Sequence, residues 1–327
     1  MSQLIDRYGR TLNYLRLSVT DRCNFRCYYC MPEEGTDFAP KSTLLSFEEM
    51  LRLCRLFTTL GVSKIRITGG EPFVRKGLMP FLQELSATPG LEEITITTNG
   101  TLIAPHLPQL LDVGIRKINL SLDSLSRERF FQITRRDAFN EVLNLIYTMV
   151  DAGMDVKLNC VVLSGKNTDD ILPFVALTQT LPIAVRFLEE MPFNGGDHAH
   201  TSTWDHTDIL THIRQQHPQL EPVASAPEST SVNYRIPGYK GSFGIIPAFS
   251  RTFCGTCNRI RLSATGALRT CLYGPAVVNL RDLLRTDVPE EKLVTAIENA
   301  IAARERDGRA AEQANAAVHN SMALLGG

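Results

Sequence analysis

Six short runs rich in β-branched residues recur along the first part of the chain: Tyr14–Thr20, Lys64–Thr68, Glu93–Thr97, Lys117–Leu122, Asp155–Val162 and Ile183–Leu188. Between them apolar residues fall at three- and four-residue spacing, as on one helical face, most clearly over Phe47–Leu60, Leu78–Ala87 and Phe139–Ala152. Ser46 followed three residues later by Glu49 offers a capping box for the first of these. Strands and helices alternating at this rhythm predict parallel strands joined by crossovers, hence an α/β fold. Six units are two short of an eight-unit barrel, so the expectation is an incomplete parallel (β/α)6 TIM-like barrel.

Within the runs the residues alternate. Arg16, Ser18 and Thr20, Arg66 and Thr68, Thr95 and Thr97, Asn119 and Ser121, Lys157 and Asn159, and Arg186 share one parity; Leu15, Leu17, Ile65, Ile67, Ile94, Ile96, Leu120, Leu158, Val185 and Phe187 occupy the other. Side chains alternate faces with period two, so one face packs on helices and the other is polar. Buried parallel strands usually read as continuous apolar runs, which makes the pattern informative. A polar lumen is a reaction chamber rather than a packed core. Its cations, Arg16, Arg66, Lys157 and Arg186, repel one another unless an anion sits among them, so the expected ligand is polyanionic.

The whole chain has a formal net charge of −1, so an anion site must be local. Neither nucleic acid nor a membrane is expected as a partner, because no apolar run approaches the ~20 residues of a span. The N-terminus lacks a signal-peptide core, and a reducing cytoplasm is the expected setting. From His217 to Thr230 the sequence is rich in Pro and Ser and reads as a linker. A division into residues 1–217 and a smaller closing domain, 218–327, follows. In the latter a strand pair is expected around Arg259–Cys271, turning at Ala264-Thr265-Gly266, with an amphipathic helix over Pro289–Arg304.

Eight cysteines are too few for a disulfide scaffold, and six of them fall in two trios. Cys23, Cys27 and Cys30 follow the first strand directly; Cys254, Cys257 and Cys271 lie in the closing unit. Three thiolates can hold three irons of a four-iron cluster and leave the fourth open to an outside ligand. Zinc normally takes four protein ligands, and no fourth Cys or His lies near the first trio. A distant His could complete a zinc site at the second. Cys54, on an amphipathic helix, and Cys160, on the apolar parity of its strand, read as small core residues.

The run CNFRCYYC resembles the signature of the radical S-adenosylmethionine superfamily. Paired with FCGTCNRIR and a third cysteine, it is similar to one family in particular, the GTP 3′,8-cyclases of molybdenum-cofactor biosynthesis. The likeness extends through KIRITGGEP, TITTNG, INLSLDSL, VKLNCVV, RFLEEM and the terminal Gly326-Gly327. Thr265 and Leu325 depart from the family's usual residues, away from any presumed ligand.

What the resemblance implies is a pair of [4Fe-4S] clusters, one on each trio, with S-adenosylmethionine on the first. Tyr29, Gly70, Ser121 and Met191 match its other contacts. GTP would meet Arg16, Arg66, Thr97, Lys157, Arg259 and Arg261, with Arg186 and Lys64 as further candidates; Arg259 and Arg261 are the catalytic candidates. The implied reaction cleaves S-adenosylmethionine to a 5′-deoxyadenosyl radical, which takes the ribose 3′ hydrogen, and the carbon radical adds to C8 of guanine. An external electron donor and a downstream cyclic pyranopterin monophosphate synthase are the implied partners. Monomer and homodimer are both open. The Gly-Gly end is expected to enter the active site. His198, His200 and His206 read as a solvated loop, Trp204 as a packing anchor, and Gly195-Gly196 lacks the frame of a phosphate loop.

Overall fold

The computed structural model describes residues 3–193, 204–286, 288–314 and 321–325. β1 (Tyr14–Ser18), β2 (Lys64–Thr68), β3 (Glu93–Thr98), β4 (Lys117–Ser121), β5 (Asp155–Val162) and β6 (Ala184–Glu189) lie side by side in chain order. Each is parallel to the next. The strand expectations therefore hold to within a few residues at the ends.

The parallel set is larger than the six units expected. After β7 (Glu221–Val223) and β8 (Val232–Arg235), β9 (Ser242–Ile246) lies parallel against β6, and β10 (Arg259–Leu262) lies parallel against β1. The later part of the chain thus adds a parallel strand to each edge of the earlier sheet. β11 (Ala267–Arg269) turns back antiparallel on β10, and β12 (Val278–Asn279) on β11, while β8 and β7 form an antiparallel flap on β9. The segment read as a linker is corrected by this pairing: β7 and the hairpin loop to β8 occupy it. Its Pro and Ser suit an exposed edge strand and its turn as well as they suit a tether.

The apolar parity is the core. Leu15, Leu17, Ile65, Ile67, Ile96, Leu120, Leu158, Val185 and Phe187 are buried, and Ile94 is half-buried near a strand start. The helix Phe47–Thr59 buries Met50, Leu51, Leu53, Leu56 and Phe57, with Cys54 fully enclosed among them. Phe139–Asp151 turns Val142, Leu145, Ile146 and Met149 inward in the same way. The capping box is present: Glu49 N–H donates to Ser46 Oγ at 3.1 Å, and Ser46 N–H to Glu49 Oε2 at 2.7 Å. Arg285 also donates to Glu49, at 2.7 Å, so this cap fastens the later helices to the first. The helix expected near Pro289 spans Glu290–Ala302. Among the described residues no helix is long and apolar enough to cross a membrane.

His206 corrects the loop reading. Asp205 caps a helix, His206–Gln216, by accepting from Thr207 N at 2.7 Å, and His206 is its first residue. His198, His200 and Gly195-Gly196 lie outside the described residues; Trp204 packs edge-on against His212 and on the core.

Loss of the cap should be measurable. Ser46→Ala should lower the stability of the metal-free chain by about 1 kcal/mol, and Ser46→Gly by only a few tenths. Urea unfolding followed by circular dichroism reads both.

Candidate functional site

The polar faces of the sheet open onto one cavity of about 380 Å³. Strand register sets its lining. Arg261, Arg16 and Arg66 stand abreast across β10, β1 and β2, and Arg259, Tyr14 and Lys64 stand abreast one pleat earlier. Arg186 faces Asn159 across β5 and β6, and both line the same space. Among the described residues the one acidic lining residue is Glu228, in the hairpin loop after β7. Glu93 lies on the same parity but is bonded to Lys64 and Lys117.

The crowding shows in the charges. Burial, with Arg261 and Arg66 alongside, holds the Arg16 guanidinium well below its ordinary pKa. Burial and Arg66 bring Arg186 down to about 10, and burial and Arg259 bring Arg261 down to about 10. Burial and Arg186 likewise lower Lys157. Burial would raise the Tyr14 phenol, yet Arg66, Arg16 and Lys64 outweigh it and hold it below its usual value. Tyr14 OH, Arg16 Nε, Thr97 Oγ1, Asn119 Oδ1, Asn159 Oδ1 and Arg186 Nε are buried with no hydrogen-bond partner among the described residues. Each such atom costs on the order of 1–3 kcal/mol unless a ligand or water meets it. All six belong to the polar parity, and Tyr14, Arg16, Asn159 and Arg186 line the chamber itself.

Beyond the end of β1 the chain enters the first cysteine loop, and two glycines hold that loop to β2. Gly70 N–H donates to Thr20 O and Glu71 N–H to Arg22 O, both at 2.9 Å, which extends the parallel ladder past the strands. A Cβ on Gly70 would stand 2.4 Å from Arg22 O and 2.9 Å from Cys23 Cβ, so only glycine allows this approach. The close contact here is with the cysteine loop itself. Glu71 is buried and accepts from Thr98 Oγ1 at 2.9 Å, Asn99 N at 2.7 Å and Phe73 N at 3.1 Å; burial nevertheless pushes its carboxyl up to about 7. Asn99 Nδ2 reaches Cys23 Sγ at 3.9 Å, and Phe25 N–H donates to it at 3.3 Å. Burial, with Glu71 alongside, pushes the Cys23 thiol up to about 11; burial pushes Cys30 up to about 12 and holds Cys27 well above the ordinary range, with neighbouring sulfurs and Asp123 adding to these two shifts.

Tyr29 does not lie free beside the trio. Its hydroxyl donates to Asp123 at 2.8 Å, and Asp123 also accepts from Val161 N at 2.9 Å. Cys160 lies against the Asp123 carbonyl, buried and away from both trios, as a core residue should.

The second trio is placed by arginines. Arg259 Nη2 and Nε donate to Cys257 Sγ at 3.2 and 3.4 Å, and Arg304 Nη2 at 3.0 Å. Burial alone would raise this thiol, yet the two cations outweigh it and bring it down to about 6. Cys254, Cys257, Cys271 and Met191 line the chamber beside the arginines. The loop leading to this trio hangs on Glu189, buried at the end of β6, which accepts from Phe249 N at 2.9 Å and Ser250 N at 2.7 Å and from His206. The end of the chain reaches both trios. Ser321 Oγ donates to Cys30 O at 2.7 Å, while Met322 and Leu325 pack with Phe193, Tyr273 and Cys271. Gly326 and Gly327 lie outside the described residues.

Of the residues singled out in the sequence, the cavity brings together Arg16, Lys64, Arg66, Arg186, Met191, Arg259, Arg261 and the second trio. Thr97 and Lys157 lie on the same sheet face, abreast of Asn119, but outside that lining; Lys157 faces Asp155 at 3.8 Å. Ser121 ends β4 opposite Asn159. Sequence reasoning missed Glu71, Asp123, Glu189 and Arg304. The first three lie at or just past strand ends within the motifs GGEP, SLDSL and RFLEEM, and a carboxylate at the end of a buried strand was the available signal. Nothing near Arg304 in sequence marks it.

Among the described residues no three His, Cys, Asp or Glu side chains converge on a point that would hold a single metal ion. The donor chemistry suits a cluster, in which each thiolate of a trio takes a different iron.

Residues 17–178 match the family model of the radical SAM superfamily, and residues 183–309 that of Molybdenum Cofactor Synthesis C. A GTP 3′,8-cyclase of Geobacter sulfurreducens is 41% identical over 99% of this chain and all of its own length. The mitochondrial GTP 3′,8-cyclase of Arabidopsis thaliana is 43% identical over 89% of this chain and 75% of that one. Molybdenum cofactor biosynthesis protein 1 of Bos taurus is 45% identical over 93% of this chain, which spans about half of it, 48%. Among solved structures, Streptococcus suis SuiB bound to S-adenosylmethionine aligns with a TM-score of 0.59 at 16% identity, over 82% of this chain and 62% of that one. Native anSMEcpe with bound AdoMet aligns with 0.59 at 15%, over 88% and 81%. These two show a shared α/β fold built on a parallel sheet.

The repulsion in the chamber has a sign that can be checked. Arg16→Met should stabilise the ligand-free, metal-free chain, by about 1 kcal/mol or more, because a crowded buried charge is replaced by apolar volume. Urea unfolding at low salt reads it; a less stable variant would mean that Arg16 supports the fold.

Proposed function

This chain belongs to the GTP 3′,8-cyclase family of radical SAM proteins, and we propose that it converts GTP to (8S)-3′,8-cyclo-7,8-dihydroguanosine 5′-triphosphate, the first step of molybdenum-cofactor biosynthesis. The observation that carries the substrate assignment is the chamber, where six arginines and a lysine face one acidic residue among the described lining residues. A triphosphate supplies the charge this arrangement calls for, and guanidinium groups bind phosphate in paired, charge-assisted hydrogen bonds.

Each trio would hold a [4Fe-4S] cluster, with S-adenosylmethionine at the first, near Tyr29, Gly70, Ser121 and Met191. The chemistry these groups supply is one-electron reduction and radical generation. The chain's own residues bind, orient and exclude water. Arg16, Arg66 and Arg261 neutralise phosphate; Lys157 and Thr97 extend the site along β5 and β3. Arg259 and Arg261 serve as the catalytic positioning pair beside the second trio. Asp123 fixes the Tyr29 ring, and the Gly69-Gly70 turn fixes the first cysteine loop. Tyr14, Asn119 and Asn159 have unmet hydrogen-bonding capacity for ribose and base.

The sheet is read as curling into an incomplete barrel around this chamber. Residues 1–217 contribute its six central parallel strands, and 218–327 close it. An external donor would supply electrons, and a cyclic pyranopterin monophosphate synthase would take the product. A reducing cytoplasm suits eight cysteines that are all unpaired.

Anaerobic reconstitution should give about eight irons per chain, four at each trio. With S-adenosylmethionine, GTP and a reductant, 5′-deoxyadenosine should appear only when GTP is present. Cys27→Ala should abolish its release, whereas Cys257→Ala should leave some uncoupled release and stop cyclisation. Equal release with and without GTP would remove the cyclase reading.

Lys157→Ala and Arg261→Ala should each weaken GTP binding by roughly one to two decades, the equivalent of a charged hydrogen bond of about 1.5–3 kcal/mol. Guanosine, which lacks phosphates, should be nearly indifferent to Lys157→Ala. Isothermal titration under nitrogen checks both. Deleting Gly326 and Gly327 should spare iron content while cyclisation falls sharply.

A further inference from the structure

We infer that Arg304 sets the reduction potential of the second iron–sulfur site by donating a permanent charged hydrogen bond to the Cys257 sulfur. The inference rests on the two-cluster reading above. Arg304 is 3% exposed and lies just beyond the helix Glu290–Ala302, far in sequence from the trio it serves. Its Nη2 donates to Cys257 Sγ at 3.0 Å, and its Nη1 to the Cys257 carbonyl at 2.9 Å, so one planar fork grips both the thiolate and its backbone.

Asp6 keeps the fork in place. Its side chain is fully buried, and its Oδ2 lies 3.7 Å from Arg304 and 2.6 Å from Arg10. Its other oxygen accepts from two backbone N–H groups, those of Tyr8 at 2.9 Å and Arg10 at 3.0 Å, which leaves the carboxylate no freedom to turn. Arg10 in turn donates to the Cys254 carbonyl at 3.0 Å. The N-terminal segment and the last long helix therefore clasp the second cysteine loop from outside the chamber.

Arg259 touches the same sulfur, yet it stands on a chamber-facing strand among the groups available to phosphate. Arg304 is not among the residues lining the chamber, and it contacts Cys257 and Asp6 instead. The two donors thus differ in kind: one can be drawn away by substrate and the other cannot. A guanidinium N–H on a ligating sulfur withdraws negative charge and favours the reduced, more negative cluster, so it raises the midpoint potential. Arg304 is a positioning residue, acting on the cluster through Cys257.

The test uses the full reconstituted chain and an electron-paramagnetic-resonance redox titration, with the second-site signal assigned by its loss in Cys254→Ala. Arg304→Met should lower the second-site midpoint and leave the first-site midpoint unmoved. Arg304→Lys, which keeps the charge but lacks the planar fork that meets sulfur and carbonyl together, should fall between wild type and Arg304→Met. It is the variant read if Arg304→Met loses its iron. Unmoved second-site midpoints in both variants, or midpoints that fall together at both sites, would overturn the inference while the two-cluster reading stands. Loss of second-site iron in both variants would replace tuning by a purely structural role. A wild-type chain with iron at the first trio only would overturn both readings at once.

Discussion

Five guanidinium groups carried on strands, those of Arg16, Arg66, Arg186, Arg259 and Arg261, face one cavity because strand register puts them there, and among the described residues its lining holds a single acid against them. In a low-dielectric space such neighbours repel strongly. The cost is carried by the apolar face of the same strands, where Leu15, Leu17, Ile65, Ile67, Leu158 and Val185 lose essentially all contact with water. One strand therefore does two opposed things at once: its inward and outward residues cannot be separated, because the backbone alternates them. The stability of the outer face holds the inner face in a state it would not adopt by itself.

The buried carboxylates explain how the chamber stays cationic. Glu71 and Asp123 sit just past parallel strands and Glu189 ends one, and their hydrogen bonds come from backbone N–H groups, hydroxyls and, for Glu189, His206 rather than from chamber arginines. Glu71 joins the β2 and β3 ends beside the first trio; Asp123 joins the β4 end to β5 and fixes Tyr29; Glu189 joins the β6 end to the loop of the second trio. Negative charge is thus spent on holding loops in position. Had these acids paired with the arginines, the cysteine loops would lose these bonds and the chamber its positive charge.

Much of this was legible in the sequence because period two is local. The polar parity of Arg16, Arg66, Asn159 and Arg186 could be read from neighbours alone, and the helices declared themselves by Ser46, Glu49 and their apolar stripes. What depended on pairing across the chain was not legible. Nothing in Ser242–Ile246 or Arg259–Leu262 says that one joins β6 and the other β1, on opposite edges of one sheet. His206 looked like part of a histidine-rich loop because its cap, Asp205, and its acceptor, Glu189, work through geometry. Arg304 is the extreme case, since its target sulfur lies 47 positions away.

The placement of β9 and β10 also has a history built into it. Until Ser242 and the residues after it have left the ribosome, β1 and β6 are both bare edges, each with a row of unmet N–H and C=O groups open to another chain. Over that interval the nascent half-sheet already carries its first cysteine loop, while the loop that will roof it has not been made. The later strands β9 and β10 are what cover those two edges. Synthesis order, written into strand order, makes the last part of this chain its lid.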